Sequence, residues 1–170
     1  MFTIHTTQSA PEGSRDALAA LERTIGFIPN LAATIAGSPT ALQGFVALQT
    51  ALRGSRLSAL EREVVGVTVS RVNRSRYSLA AHSKFASVAG ASEELVAALQ
   101  AGEPLGDDRL DRLRTFTEAL LGSRGQASAD GLDAEEALEV VAQAAFTTFA
   151  NYAAGVARTP VDAAFAPVAA

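Results

Sequence analysis

Residues 57–86, LSALEREVVGVTVSRVNRSRYSLAAHSKFA, predict two helices joined by a short polar turn. The first helix begins at Ser58, and Glu61, three residues later, completes a capping box. Its middle, VVGVTV, is rich in β-branched residues and would favour a strand by propensity alone. We predict a helix because the flanking segments are strong helix formers and no partner strand is found elsewhere. If NRS at 73–75 is a tight turn, the two helices are antiparallel neighbours.

The rest of the chain follows the same pattern, and the sequence predicts an all-α fold of about seven or eight helices. Alanine, leucine, glutamate and arginine dominate, with apolar residues spaced three to four apart. The predicted N-caps are Ser14, Asn30, Ser38 and Ser58, and the predicted helix-ending glycines are Gly37, Gly54, Gly90 and Gly102. Without a repeat or long linker, we predict one domain over 1–170, with a core motif at 57–90. An irregular tail at 158–170 is expected to dock on the surface.

The composition excludes several classes of protein. The chain has no cysteine, which excludes disulfides, thiolate metal ligands and thiol catalysis. A net charge of −4 and an aromatic content of 6% argue against a nucleic-acid partner. No apolar run approaches the roughly 20 residues of a membrane span, and the N-terminal residues do not resemble a signal peptide. We therefore predict a cytoplasmic protein without a nucleic-acid or membrane partner.

The second predicted helix carries a candidate site. Ser75, Ser78 and His82 are spaced i, i+3 and i+7, so on one continuous helix they share a face. Antiparallel packing would let Glu63, on the preceding helix, face His82 directly or through one water. A carboxylate, an imidazole and a hydroxyl in this order are the parts of an activated nucleophile. Spacing alone favours a structural interpretation, a packed face whose serines donate to carbonyls four residues earlier.

Other polar and aromatic residues are weaker candidates. The two histidines, His5 and His82, lie far apart in sequence, so we predict no metal site and no cofactor. The last predicted helix has apolar residues almost all round, which favours burial on most sides. Its aromatic residues, Phe146, Phe149 and Tyr152, are interpreted as core or subunit interface. The arginines nearest the motif are Arg71, Arg74 and Arg76, and the last two are interpreted as solvated charges.

The segment 57–86 resembles the core of the alkyl hydroperoxidase D (AhpD)/carboxymuconolactone decarboxylase family, most closely its peroxidase-related branch. That core has a glutamate, eleven residues, Cys-x-x-Cys, three residues and a histidine. This sequence keeps the frame as Glu63, Ser75, Ser78 and His82. The surrounding residues match as well, including Asn73 and Tyr77, which we predict to line the pocket. Further resemblance lies in GFIPNLAATIAGSPTALQGF (26–45) and FTTFANYAAGVARTPVD (146–162).

The resemblance implies an AhpD-like fold and specific roles for the motif. In redox members, a cysteine at the Ser78 position attacks the peroxide and a cysteine at the Ser75 position resolves it. The residue at His82 acts as base through water, and the residue at Glu63 orients it or relays the proton. Serine cannot pass through sulfenic acid and disulfide states, so we predict that thiol peroxidase activity is absent. The double exchange fits a natural loss of redox chemistry or an engineered variant equally well.

Several functions remain open. Glu63 and His82 could serve a non-redox proton transfer of the decarboxylase type, on a small lactone or acid. The chain could instead be a hydroperoxidase seen with its sulfurs replaced, or a non-catalytic homologue that binds a small ligand. A serine hydrolase built on Ser78 is disfavoured, since a mid-helix nucleophile has no free backbone N–H groups for an oxyanion hole. The family forms homo-oligomers, so the resemblance also implies a trimer or hexamer here.

Overall fold

The computed structural model describes residues 2–166, and within them the fold is all-α, with eight helices and no strand. The helices are α1 (Glu12–Ile25), α2 (Asn30–Ile35), α3 (Pro39–Leu52), α4 (Ala59–Val72), α5 (Arg76–Val88), α6 (Glu93–Ala101), α7 (Asp108–Gly122) and α8 (Ala134–Ala157). A 3-10 helix follows at Ala163–Phe165. The predicted fold class and number of helices are confirmed. None of the helices described is long and apolar enough to cross a bilayer.

Helix α4 lies at the centre of the fold and packs against α5, α6, α7 and α8. Every residue of 64–70 is buried, so apolar side chains are accommodated around the whole helix. This burial explains why the β-branched VVGVTV segment is helical: packing on all sides outweighs its modest preference for a strand. The short turn at 73–75 then reverses the chain, and α5 packs along α4, as predicted.

The predicted helix starts are correct at two positions and wrong at two others. Ser58 and Glu61 form the capping box of α4, and Ser38 caps α3. Ser14 is not a cap, because α1 begins earlier, at Glu12, and the buried Ser14 hydroxyl instead donates to the carbonyl of Ala36 at 2.7 Å. Asn30 is the first residue of α2 rather than its cap.

Two glycines end helices in the predicted way. Gly102 has a φ of 76° at the end of α6, and Gly90 has a φ of 100° just after α5. Both positive values favour glycine. Gly37 and Gly54 lie in turns beyond the actual last residues of α2 and α3.

The C-terminal tail is more deeply integrated than predicted. Asp162 is buried, and its carboxylate accepts hydrogen bonds from the Tyr77 hydroxyl at 2.6 Å and from the backbone N–H of Asn30 at 3.1 Å. The ring of Phe165 is also buried and packs at 5.3 Å from that of Phe85. The prediction of surface docking is therefore wrong for these residues. The hydrogen bond between Tyr77 and Asp162 holds the tail against α5, and the sequence did not indicate this pairing. Residues 167–170 lie outside the described range.

Candidate active site

A cavity of about 290 Å³ lies between α1, α2, α3, α4, α5, α8 and the 3-10 helix. Most of its wall is apolar, including Leu21, Ile25, Leu31, Phe45, Leu52, Phe85, Phe146 and Phe165. Polar and charged side chains also line it, namely Gln49, Arg53, Arg62, Glu63, Tyr77, Ser78, His82 and Gln143. An apolar pocket with a few convergent polar groups is the usual form of a small-molecule site.

The structure pairs Glu63 with His82 inside this lining. The Nδ1 atom of His82 lies 2.7 Å from Oε2 of Glu63, and the side chains are only 10% and 19% exposed. An ionised carboxylate can only accept a hydrogen bond, so Nδ1–H of His82 donates to Glu63, and Nε2 of the neutral ring is left as a hydrogen-bond acceptor. The ring makes no other hydrogen bond with residues 2–166. His82 is therefore oriented by Glu63 and can exchange a proton at Nε2.

Gly66 is the residue that lets the imidazole approach α4. A Cβ atom at this position would lie 2.5 Å from Nδ1 of His82 and 2.8 Å from two ring carbons. The ring therefore rests on the bare backbone of α4, one turn after Glu63. Sequence reasoning missed Gly66, although a glycine in the middle of a buried helix was an available signal, since it costs about 1 kcal/mol relative to alanine.

Ser78 lies in the same cavity wall and is 2% exposed. Its hydroxyl has no hydrogen-bond partner among the described residues, so it neither donates to the carbonyl of Arg74 nor bonds to His82. The structural interpretation, a serine bonded back to its own helix, does not hold at this position. A serine hydrolase is also disfavoured, because the serine–histidine hydrogen bond of that mechanism is not formed. The Ser78 hydroxyl is therefore a buried polar group without a partner among residues 2–166, which is uncommon in folded proteins.

Ser75 does not share a helix face with Ser78 and His82, contrary to the prediction. Arg74 has a φ of 55°, and Ser75 is extended, with φ −86° and ψ 100°, as the N-cap of α5. The helix therefore begins only at Arg76, and helical spacing does not apply to Ser75. Its side chain lines a separate groove, outside the cavity.

Of the two residues predicted to line the pocket, only Tyr77 does so. Tyr77 lines the cavity, and burial, with the hydrogen bond to Asp162, raises the pKa of its hydroxyl far above the usual value. Asn73 does not line the cavity, which corrects the prediction: it caps the C-terminus of α4, and its Nδ2 atom is buried with no partner among residues 2–166. Arg71 pairs with Glu118, so it is committed to an internal ion pair.

The remaining candidates lie elsewhere. Within residues 2–166, no group of three or more His, Cys, Asp or Glu side chains is placed to hold a metal ion. The ring of His5 hydrogen-bonds with the carbonyl of Ser9. Phe146 is buried and lines the cavity, whereas Phe149 and Tyr152 are 37% and 63% exposed. The last helix is therefore not buried on most sides within a single chain.

Comparison with known proteins identifies the class to which this fold belongs. The model for the carboxymuconolactone decarboxylase family matches residues 39–119. These residues belong to that family and the chain has the AhpD-like fold, which confirms the family predicted from the sequence. No curated protein matches the chain.

Solved structures share this fold at low sequence identity. An AhpD core, an uncharacterized peroxidase-related protein from Ralstonia eutropha JMP134, has a TM-score of 0.86 and 20% identity over 96% of this chain and 93% of its own. A peroxidase-related protein from Silicibacter sp. TM1040 has a TM-score of 0.79 and 21% identity, covering 91% and 87%. The debrominase Bmp8 has a TM-score of 0.80 and 18% identity, covering 97% and 94%. A cysteine-to-alanine variant of Bmp8 has been solved with 2,3,4-tribromopyrrole.

Proposed function

We propose that this protein catalyses a proton transfer on a small molecule held in the cavity, with Glu63 and His82 as the catalytic pair. The observation that carries the proposal is the 2.7 Å hydrogen bond from His82 Nδ1 to Glu63 in the cavity wall. This bond fixes the tautomer of the ring and leaves Nε2 as the proton acceptor. Histidine is the side chain best suited to accept and return a proton near neutral pH.

The proposed reaction has two steps, the removal of a proton from the substrate and its return. A proton leaves a carbon or oxygen of the bound molecule and passes to Nε2 of His82, which forms an imidazolium and a substrate anion. The Glu63 carboxylate stabilises the imidazolium through Nδ1–H. The proton then returns to the same atom or to another atom of the substrate, and the enzyme is restored without any oxidant or reductant.

Peroxide reduction by thiols is not part of this proposal, because both motif positions carry hydroxyl groups. A hydroxyl cannot be oxidised to a sulfenic acid or joined in a disulfide. The debrominase among the similar structures shows that the fold is used for other reactions on small molecules. It supports the view that a protein of this fold can act on substrates other than peroxides.

The proposal is tested by deuterium exchange. A panel of small lactones and carboxylic acids is incubated with the protein in D₂O, and incorporation of deuterium is followed by NMR. His82→Gln is expected to lower the exchange rate by about 10²-fold or more, since general acid–base groups contribute roughly 10²–10⁴-fold. His5→Gln, at the other histidine, is the matched control and should exchange at the native rate.

Two outcomes contradict the proposal. Undiminished exchange in a folded His82→Gln protein removes His82 from the chemistry. Panel members that bind, as seen from chemical-shift changes, but never exchange would instead support the non-catalytic ligand-binding alternative.

We further propose that α8 contacts a second copy of the chain. One side of this helix presents exposed apolar residues, namely Leu138, Val141, Phe149, Tyr152 and Val156. They extend over roughly 27 Å at 1.5 Å per residue. Apolar surface of this extent marks an interaction site more often than a solvated face. This supports the homo-oligomer that the family resemblance implies.

Light scattering on the purified chain tests the self-association. The native protein is expected to have the mass of an oligomer, and Tyr152→Lys with Val156→Lys should shift it to the monomer, because two charges cannot be buried there unpaired. Val88→Lys, at an exposed apolar residue of α5, should leave the mass unchanged. A native protein that is monomeric at all concentrations would overturn the proposal.

A further inference from the structure

The cavity carries more positive charge than its catalytic pair accounts for. Its charged lining residues are Arg53, Arg62, Glu63 and, when protonated, His82. The only carboxylate among them, Glu63, is already bonded to His82. Neither arginine forms an ion pair with any residue in the range 2–166. Two guanidinium groups are therefore available to a ligand at one cavity, in a chain whose net charge is −4.

Arg62 is the more informative of the two. It lies in the first turn of α4, where the helix dipole disfavours a positive charge, so helix electrostatics do not explain its position. Its Nη1 atom donates to the carbonyl of Leu57 at 2.6 Å, which fixes the half-buried side chain and leaves its other N–H groups as donors. Arg53 caps the C-terminus of α3, where the dipole favours a cation, and its side chain is exposed.

The rest of the lining defines the other part of a ligand. Phe45, Phe85 and Phe146 supply apolar wall, and Ser78, whose buried hydroxyl has no partner among residues 2–166, lies in the same wall. Cavities of roughly 150 Å³ already hold benzene, so 290 Å³ has room for a substituted ring.

We propose that Arg62, assisted by Arg53, binds the carboxylate of a small amphipathic acid whose apolar body fills the cavity. In this position the apolar body lies along the wall that contains Ser78 and His82. The guanidinium group suits this role because its planar N–H donors match the two oxygens of a carboxylate. This inference names the substrate class for the proposed proton transfer and rests on that function for its catalytic meaning, while the binding itself is measured independently.

Calorimetric titration compares three probes: phenylacetate, its neutral isostere phenylacetamide, and inorganic phosphate. Phenylacetate is expected to bind about tenfold or more tightly than phenylacetamide, since a charge-assisted hydrogen bond exceeds a neutral one. Phosphate should bind more weakly than phenylacetate, because it has no apolar body. Equal affinity for the acid and the amide, no binding of the acid, or equal affinity for phosphate would each overturn the inference.

Variants assign the preference to the arginines. Arg62→Gln should remove most of the preference for the acid, and Arg62→Lys should keep part of it because the charge is retained. Arg76→Gln, an exposed arginine outside the cavity, is the matched control and should bind like the native protein. A folded Arg62→Gln protein that keeps the whole preference contradicts the assignment.

One further variant separates this inference from the proposed function. His82→Gln should keep the preference for phenylacetate over phenylacetamide even though proton exchange is lost. If the preference persists and no exchange is found in the native protein, the proton-transfer proposal fails and the acid site stands. If exchange occurs without any preference for acids, the acid site alone fails.

Discussion

The combined exchange Ser75→Cys and Ser78→Cys is expected to create peroxide turnover that depends on a dithiol reductant. Ser78 lies in the cavity wall with His82 and is the third residue of α5, close to the helix N-terminus. The helix dipole and free N–H groups there lower the pKa of a thiol, which favours the reactive thiolate. The Glu63–His82 pair is already in place to assist the proton transfer.

The reaction of this variant can be written in full. The thiol at position 78 gives its proton to His82, and the thiolate attacks one peroxide oxygen. The O–O bond breaks, a sulfenic acid remains on the protein, and the leaving alkoxide or hydroxide takes the proton back from His82 to leave as alcohol or water. The thiol at position 75 displaces water from the sulfenic acid and forms a disulfide, which an added dithiol reduces. A disulfide needs Cβ atoms about 3.5–4.5 Å apart, and Ser75 lines a groove separate from the cavity that Ser78 lines. Position 75 must therefore shift locally, which its extended backbone at the N-cap allows.

Peroxide consumption with dithiothreitol as reductant is the measurement, and the single exchange Ser78→Cys is the control. The double variant should form an intramolecular disulfide, seen as the loss of two hydrogens by mass spectrometry. The single variant should oxidise without forming it. Adding His82→Gln to the double variant should slow its turnover. Equal turnover in the native chain would contradict the loss of thiol chemistry, and a folded, inactive double variant would contradict a hydroperoxidase ancestry for this cavity.

The helix pair that carries the site was predictable from local sequence. The capping box of Ser58 and Glu61 and the strong helix formers around VVGVTV indicated α4, and the short turn indicated an antiparallel α5. That arrangement was sufficient to bring Glu63 to His82. The position of Ser75 was not predictable in this way, because it depends on Arg74 adopting a positive φ, which no residue of the turn demands.

Contacts between segments far apart in the chain could not be predicted from the sequence. Tyr77 and Asp162 are separated by 85 residues and meet only because the tail returns to α5. Arg62 could not be assigned to the cavity from the sequence, because residues from α1 to the 3-10 helix together form that cavity. Asn73 matched a family pattern and was assigned to the pocket, yet a pattern of residue types does not state which way a side chain faces at a helix end.

Gly66→Ala is expected to disrupt the Glu63–His82 pair and to abolish activity that depends on it. The added methyl group would lie 2.5 Å from Nδ1 of His82, closer than real Cβ contacts allow. Either the imidazole leaves its place or α5 moves away from α4, and both changes break the 2.7 Å hydrogen bond. Overpacking of this kind costs about 1–3 kcal/mol of unfolding free energy.

The sign of the change in unfolding free energy distinguishes a clash with His82 from the general preference of helices for alanine over glycine. In a helix with free space, glycine to alanine stabilises by about 1 kcal/mol, because alanine loses less backbone entropy. Gly44, in α3, is the matched control, since a Cβ there would have no neighbour within 4 Å. Urea unfolding should therefore show Gly44→Ala as more stable than the native protein and Gly66→Ala as less stable. The ¹⁵N signals of the His82 ring should change only in the latter. A Gly66→Ala protein that gains stability and keeps the native ring signals would show that the imidazole does not rest on α4.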